Sequence, residues 1–171
     1  MKYVELPSSD VTEQALKQLE IGAFLTTQKV DKVNTMTIAW GGINVVWGKT
    51  VFVVYVRYSR ETYNMLEHND EFTVSIPIHR DLKKELAYCG TKSGRDVDKI
   101  KDCKFTLIPG RIVGTPIIGE CDLHYECKLI YKQAMEPNAI TDQVKARYYS
   151  TNNFHVVYYG EIVDVYQTKG E

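Results

Sequence analysis

The chain has 171 residues, a formal net charge of −1 and four cysteines. That length suits one domain with a sizeable core. A net charge near zero excludes an electrostatic case for nucleic acid or an anionic membrane. No apolar run approaches transmembrane length, and the opening MKYVELPSSD lacks the apolar core of a signal peptide. The expectation is therefore a cytoplasmic protein, with its cysteines reduced.

In chain order, Asp10 to Glu20 predicts a short amphipathic helix. Asp10 and Glu13 have the capping-box spacing, Ala15, Leu16 and Leu19 form the apolar face, and Gly22 follows as a stop. Ala23 to Gln28 and Thr35 to Trp40 predict two strands around a polar turn, Lys29 to Asn34. Val51 to Val56 is β-branched and nearly all apolar, which predicts a strand buried on both faces. A helix through Tyr63 to His68 follows. Phe72 to Ile78 predicts a strand, and Asp81 to Tyr88 a helix. Gly90 and Gly94 frame a loop. Ser93 and Asp96 then fit a second capping box, opening a short helix through Ile100. Phe105 to Val113, Cys121 to Gln133 and Phe154 to Tyr166 predict strands, with a helix at Thr141 to Tyr149. The order is strand-dominated and does not alternate βαβα. It predicts a mainly β fold: a closed or partly closed antiparallel barrel with helical insertions. The chain is read as a single domain, 1–171.

The joint between strand and helix at Val51 to Leu66 carries the first candidate site. Ser59 is placed to cap the helix, and Thr62 falls at its third position. Arg57 adds a guanidinium fork suited to phosphate oxygens. The same pattern also fits an ordinary capped helix with a surface arginine. Cys121, His124 and Cys127 suggest a metal site, but on a strand Cys121 and Cys127 stand roughly 20 Å apart and His124 points to the other face. They cannot share one ion with bonds near 2 Å, so no metal is expected. Neither GxGxxG nor GxxxxGK[ST] is present.

Three segments combine polar and small residues beside buried strands: Asn34-Thr35-Met36-Thr37-Ile38-Ala39-Trp40, the Arg57–Ser59–Thr62 joint, and CGTKSGRDVDKI from Cys89. With the ending HVVYYGEIVDV from His155, they make the chain resemble the flavin reductase-like family, whose members bind FMN in a split β-barrel. The most specific element is CGTKSGRDVDKI, similar to the family loop of CG followed by SGRDVDKF. NTMTIAWGG resembles its early TMT strand. The match covers nearly the whole chain, from Gly22 to about Val165.

The resemblance implies an antiparallel, Greek-key split barrel that holds FMN. It places Arg57, Ser59 and Thr62 on the phosphate, and Asn34, Met36, Thr37 and Ala39 on the strand beside the ring. Cys89, Gly90 and Ser93 fall in the loop that closes over the flavin, and Lys99 reaches either the phosphate or the ring. Cys89 is expected to be a packed residue rather than a nucleophile. His155 is equally compatible with a structural or a functional role. No catalytic side chain is implied, because hydride transfer at flavin N5 depends on binding and orientation. The electron donor is NAD(P)H, giving a flavin reductase, or a redox protein, giving an electron carrier. A homodimer is implied as well, and the aromatics Trp40, Trp47, Tyr148, Tyr149, Tyr158 and Tyr159 suggest the surface for it. The chain departs from its relatives at Gly42 to Trp47, where many of them carry proline.

Overall fold

The structure is a computed structural model that describes residues 2–5 and 8–169, with side chains from 11 to 168. Strand β1 (Lys2–Glu5) leads into helix α1 (Ser8–Ile21). The hairpin β2 (Ala23–Lys29) and β3 (Lys32–Ile38) follows, then β4 (Gly41–Val46) and β5 (Lys49–Arg57). Helix α2 (Glu61–Leu66) connects to β6 (Glu71–Ile76). Helices α3 (Lys83–Thr91) and α4 (Lys99–Asp102) precede the short pair β7 (Leu107–Ile108) and β8 (Ile117–Ile118). The long strands β9 (Leu123–Ala134) and β10 (His155–Lys169) close the chain, joined through α5 (Asp142–Tyr148).

The main sheet is antiparallel, in the order β3-β2-β6-β9-β10-β5-β4, with β1 paired to the far half of β10. The 15-residue β10 is long enough to hold β5 at one end, from the His155–Arg57 pair to the Glu161–Val51 pair, and β1 at the other. The path from β5 to β6 crosses between opposite halves of the sheet, because β9 and β10 stand between them. Among the described residues β3 and β4 remain its free edges, so the barrel is split rather than closed. That free edge of β3 positions the site.

One core fills the sheet. Val54, Val56, Phe72, Val74, Ile76, Leu123, Tyr125 and Tyr158 are all buried in it. Each large apolar side chain removed from water contributes about 1.5–3 kcal/mol. Helix α1 packs Val11, Ala15 and Leu19 onto this core. A smaller cluster joins Phe24, Leu86, Cys89, Phe105 and Ile118 under α3. Phe24 and Phe105 meet edge to face at 5.0 Å.

Several local expectations are corrected. Helix α1 opens at Ser8, upstream of Asp10, whose side chain lies outside the described residues. Glu13 instead pairs with Lys17 at 2.7 Å, one turn on. Strand β4 is new, since the sequence reading assigns no element between Trp40 and Val51. Gly41 has φ 143°, and a Cβ there would sit 2.3 Å from the Val53 carbonyl oxygen, so β4 approaches β5 only through glycine. The strand predicted over Phe105 to Val113 shrinks to Leu107–Ile108. Beyond it, the backbone N–H groups of Arg111, Ile112 and Val113 donate to the Glu126 carboxylate at 2.7–2.9 Å, and Gly114 N–H donates to Glu71 at 2.7 Å. Two carboxylates thus replace the ladder a strand would have formed. His124 spends its ring on hydroxyls, with Nδ1 3.1 Å from Ser75 Oγ and Nε2 3.2 Å from Thr168 Oγ1. Tyr158 and Tyr149 are buried within the chain and do not add to an aromatic surface; Trp40, Trp47 and Tyr148 do, at 39%, 66% and 38% exposure.

Candidate functional site

Two cavities lie along β3, a free edge of the sheet. The first, a cleft of about 180 Å³, is lined by Met36 to Trp40, Tyr55, Arg57, Arg60 and His155. The second, a groove of about 420 Å³, runs along Asp31 to Asn34 and Gly94 to Lys99. An edge strand carries backbone N–H and C=O groups with no strand partner on its outer side. The cleft is therefore walled on one side by backbone donors and acceptors.

The joint differs from the sequence expectation. The N-cap of α2 is Arg60, not Ser59, and Thr62 is the second helical residue rather than the third. Thr62 is buried, and its hydroxyl accepts from Asn34 Nδ2 at 2.9 Å. Ser59 is exposed, and its Oγ accepts from Asn153 Nδ2 at 2.7 Å. Arg57 turns away from the joint. Its fork donates to the carbonyl oxygens of Asn153 and Tyr148 and lies over the Tyr149 ring at 5.1 Å from the centroid. These bonds tie the end of β5 to the segment between α5 and β10.

Arg60, one turn further on, is the residue the sequence reading missed. Its guanidinium lines the cleft, half-buried, with no hydrogen bond or ion pair among the described residues. Burial, and then repulsion from Arg57, push its pKa down from the ordinary arginine value. A desolvated cation without a counter-ion is costly. The available signal was a second arginine three residues after Arg57, inside the same polar turn.

Helix α3 covers Thr37, whose hydroxyl donates to the Leu86 carbonyl oxygen at 2.6 Å. Cys89 and Gly90 belong to its last turns, not to the loop in which the resemblance places them. A Cβ on Gly90 would meet Thr37 Cβ at 3.4 Å, so helix and strand are in close contact there. Cys89 Sγ faces the small core and lies 3.9 Å from Cys103 Sγ. Burial, and then the neighbouring Cys103, push its thiol up to about 12, which removes it as a nucleophile.

The loop after α3 is held from three sides. Ser93 Oγ accepts from Arg95 N–H at 3.2 Å, and its expected cap role passes to Asp98, which accepts from Lys101 N–H at 3.1 Å to open α4. Lys99 is buried; its ammonium donates to the Thr35 and Cys89 carbonyl oxygens, both at 2.9 Å. It clamps α4 to β3 and α3, and burial pushes its pKa down. Gly94 lies over the Asn34 carboxamide so closely that a Cβ would sit 2.0 Å from Oδ1. Buried Glu61 pairs with Lys32 at 3.1 Å and with Arg95 at 3.8 Å, while Arg95 also donates to the Ser59 carbonyl oxygen.

At the other end His155 is buried, with Nδ1 2.8 Å from the Tyr149 hydroxyl and its ring 5.0 Å from Trp40. Burial, then Arg57 and Arg60, hold its pKa at about 4, so the imidazole is neutral at pH 7. Met36 is buried under this end, and Ala39 is exposed at its rim. The structure thus gathers Asn34, Met36, Thr37, Ala39, Thr62, Gly90 and Lys99 along one edge. It directs Arg57 and Ser59 toward Asn153, and Cys89 into the core.

Comparison with known proteins bears on this arrangement. Residues 22–171 match the model of the flavin reductase like domain. A protein of Archaeoglobus fulgidus is 29% identical over 107 residues, covering 63% of this chain and 59% of the relative. The chain spans less than two thirds of the length of the curated relatives it matches. The structure of flavoredoxin from Desulfovibrio vulgaris (Miyazaki F) is 28% identical, with a TM-score of 0.68 over 86% of this chain and 69% of that one. An FMN-binding domain of a flavin reductases-like enzyme from Shewanella baltica shares the fold, with a TM-score of 0.69 at 17% identity, over 97% of this chain and 77% of that one.

Proposed function

Because the chain belongs to the flavin reductase-like family, we propose that it is a single-domain FMN protein, a flavin reductase that takes hydride from NAD(P)H. The observation that carries the cofactor is Arg60. A half-buried guanidinium with no counter-ion among the described residues, beside Arg57 and Lys99, calls for an anion. A phosphate monoester meets that need. The unpaired edge of β3 and the flat walls of Trp40, Tyr55 and His155 fit a planar heterocycle with a polar rim.

In this reading Arg60 neutralises the phosphate, assisted by the exposed Ser59 hydroxyl, while Asn34 and Thr62 hold the joint in place. Lys99 acts through its two carbonyl contacts, fixing β3 against α3 and α4. The backbone of Met36 to Ala39 would face the ring, and neutral His155 adds no cation beside Arg57 and Arg60. When bound, FMN supplies hydride acceptance at N5 and onward electron transfer. No acid or base from the protein is assigned, and orientation carries the rate.

Trp40 and Tyr148, in edge contact at 5.2 Å, are exposed at the mouth of the cleft. They support a homodimer in which a second copy covers this end. They also favour the second reading, an FMN electron carrier reduced by a protein partner. We place the protein in the cytoplasm; among the described residues no helix is long and apolar enough to cross a membrane. The cofactor is tested by denaturing the purified protein and separating the released flavin. FMN is expected, and a protein without any flavin that also takes up none would refute the reading.

A further inference from the structure

The groove of about 420 Å³ adjoins the turn that carries Arg60, because Arg95 in its lining donates to the Ser59 carbonyl oxygen and pairs with Glu61; it has room for more than a monophosphate. Its lining carries Lys32, Arg95 and Lys99, which would suit a second phosphate. None of the three is available for one. Lys99 is bonded to two carbonyl oxygens, and Lys32 and Arg95 are paired with the Glu61 carboxylate. Asp31, Asp96 and Asp98 line the same groove. The three cations of the lining are matched by these three aspartates, and Glu61, paired behind Lys32 and Arg95, tips the balance to negative where a pyrophosphate would have to lie. Glu61 is also an unusual choice beside a phosphate site, since a buried carboxylate repels the ligand unless it is neutralised.

We propose that Glu61 is a specificity-determining residue: by engaging Lys32 and Arg95 it closes the groove to a second phosphate, so the site takes a flavin mononucleotide and disfavours a flavin dinucleotide. This rests on the flavin reading of the cleft. On the flavin reading FMN would end at Arg60, short of the groove, so Glu61 would act on the dinucleotide alone. Replacing the carboxylate by a carboxamide keeps acceptors for Lys32 and Arg95 but removes the charge that occupies them.

The test is the ratio of FAD to FMN dissociation constants, by flavin fluorescence, for the wild type, Glu61→Gln and Asp96→Asn. Asp96 is exposed and unpaired among the described residues, so its variant reports even where Glu61→Gln folds poorly. Glu61→Gln should lower the ratio about ten-fold, from one charge removed at contact range of a phosphate. Asp96→Asn should lower it by a smaller factor in the same direction. A ratio that stays constant in both variants would overturn the role of Glu61, as would equal changes for FMN and FAD. A wild type that binds neither flavin would instead overturn the reading of the cleft.

Discussion

Replacing Arg60 by alanine separates a ligand-binding cation from a structural one. In the free protein this guanidinium is half-buried, repelled by Arg57 and without a partner among the described residues. Its loss should leave the apoprotein's melting temperature unchanged or slightly higher. Toward FMN the loss is large. Hydrogen bonds to charged groups contribute about 1.5–3 kcal/mol, roughly ten- to hundred-fold in affinity. The upper half of that range is expected, because no neighbour can substitute cheaply. Arg57 would have to release Tyr148 and Asn153, and Lys99 would have to release Thr35 and Cys89. Riboflavin, which lacks the phosphate, should lose little. The assay is fluorescence titration of wild type and Arg60→Ala with both flavins, beside thermal melts of the apoproteins. Equal losses for FMN and riboflavin would refute the phosphate assignment. A melting temperature several degrees lower with FMN affinity intact would make Arg60 structural.

Other consequences follow from the same contacts. His155 and His124 are both held at about 4, mainly by burial, against about 6.5 in an unfolded chain. Their contribution to stability is complete above about 6.5 and is lost as pH falls toward 4; urea midpoints should drop across that window, and His155→Gln should flatten the slope. Bound FMN should raise the His155 pKa by offsetting Arg57 and Arg60, which an imidazole titration by NMR would detect as a shift absent with riboflavin. Gly94→Ala places a Cβ against Asn34 Oδ1, breaking the Asn34–Thr62 bond; a loss of about 1–3 kcal/mol and weaker FMN binding are expected, and an unchanged melt would contradict it. Lys99→Met should destabilise the protein by roughly 2 kcal/mol or more, since two buried carbonyl oxygens lose their donor.

How much of this was legible in sequence depended on the range of the interaction. The strands with strong β-branched or alternating patterns, such as β5 and β10, lie close to their expected positions, because their period reflects burial directly. Strand β4 and the 111–114 loop did not, since one rests on a glycine contact with Val53 and the other on carboxylates distant in sequence. In the site, Asn34 to Ile38 form part of a strand, as the motif implied. The direction of Arg57 was not readable, because Tyr148 and Asn153 lie 91 and 96 residues away. Arg60 was passed over because a helix cap is rarely an arginine. Its meaning comes only from being desolvated without a partner, which no local pattern records.

A cleft that holds an FMN reduced by NAD(P)H is tested by the flavin absorption band of the FMN-loaded protein, followed anaerobically in a stopped-flow instrument as NADH or NADPH is added. Fast bleaching is expected, saturating with nucleotide concentration and slowed in Arg60→Ala through loss of bound FMN. A protein that keeps its flavin colour with both nucleotides, yet bleaches with dithionite, would contradict it and leave the electron carrier as the function.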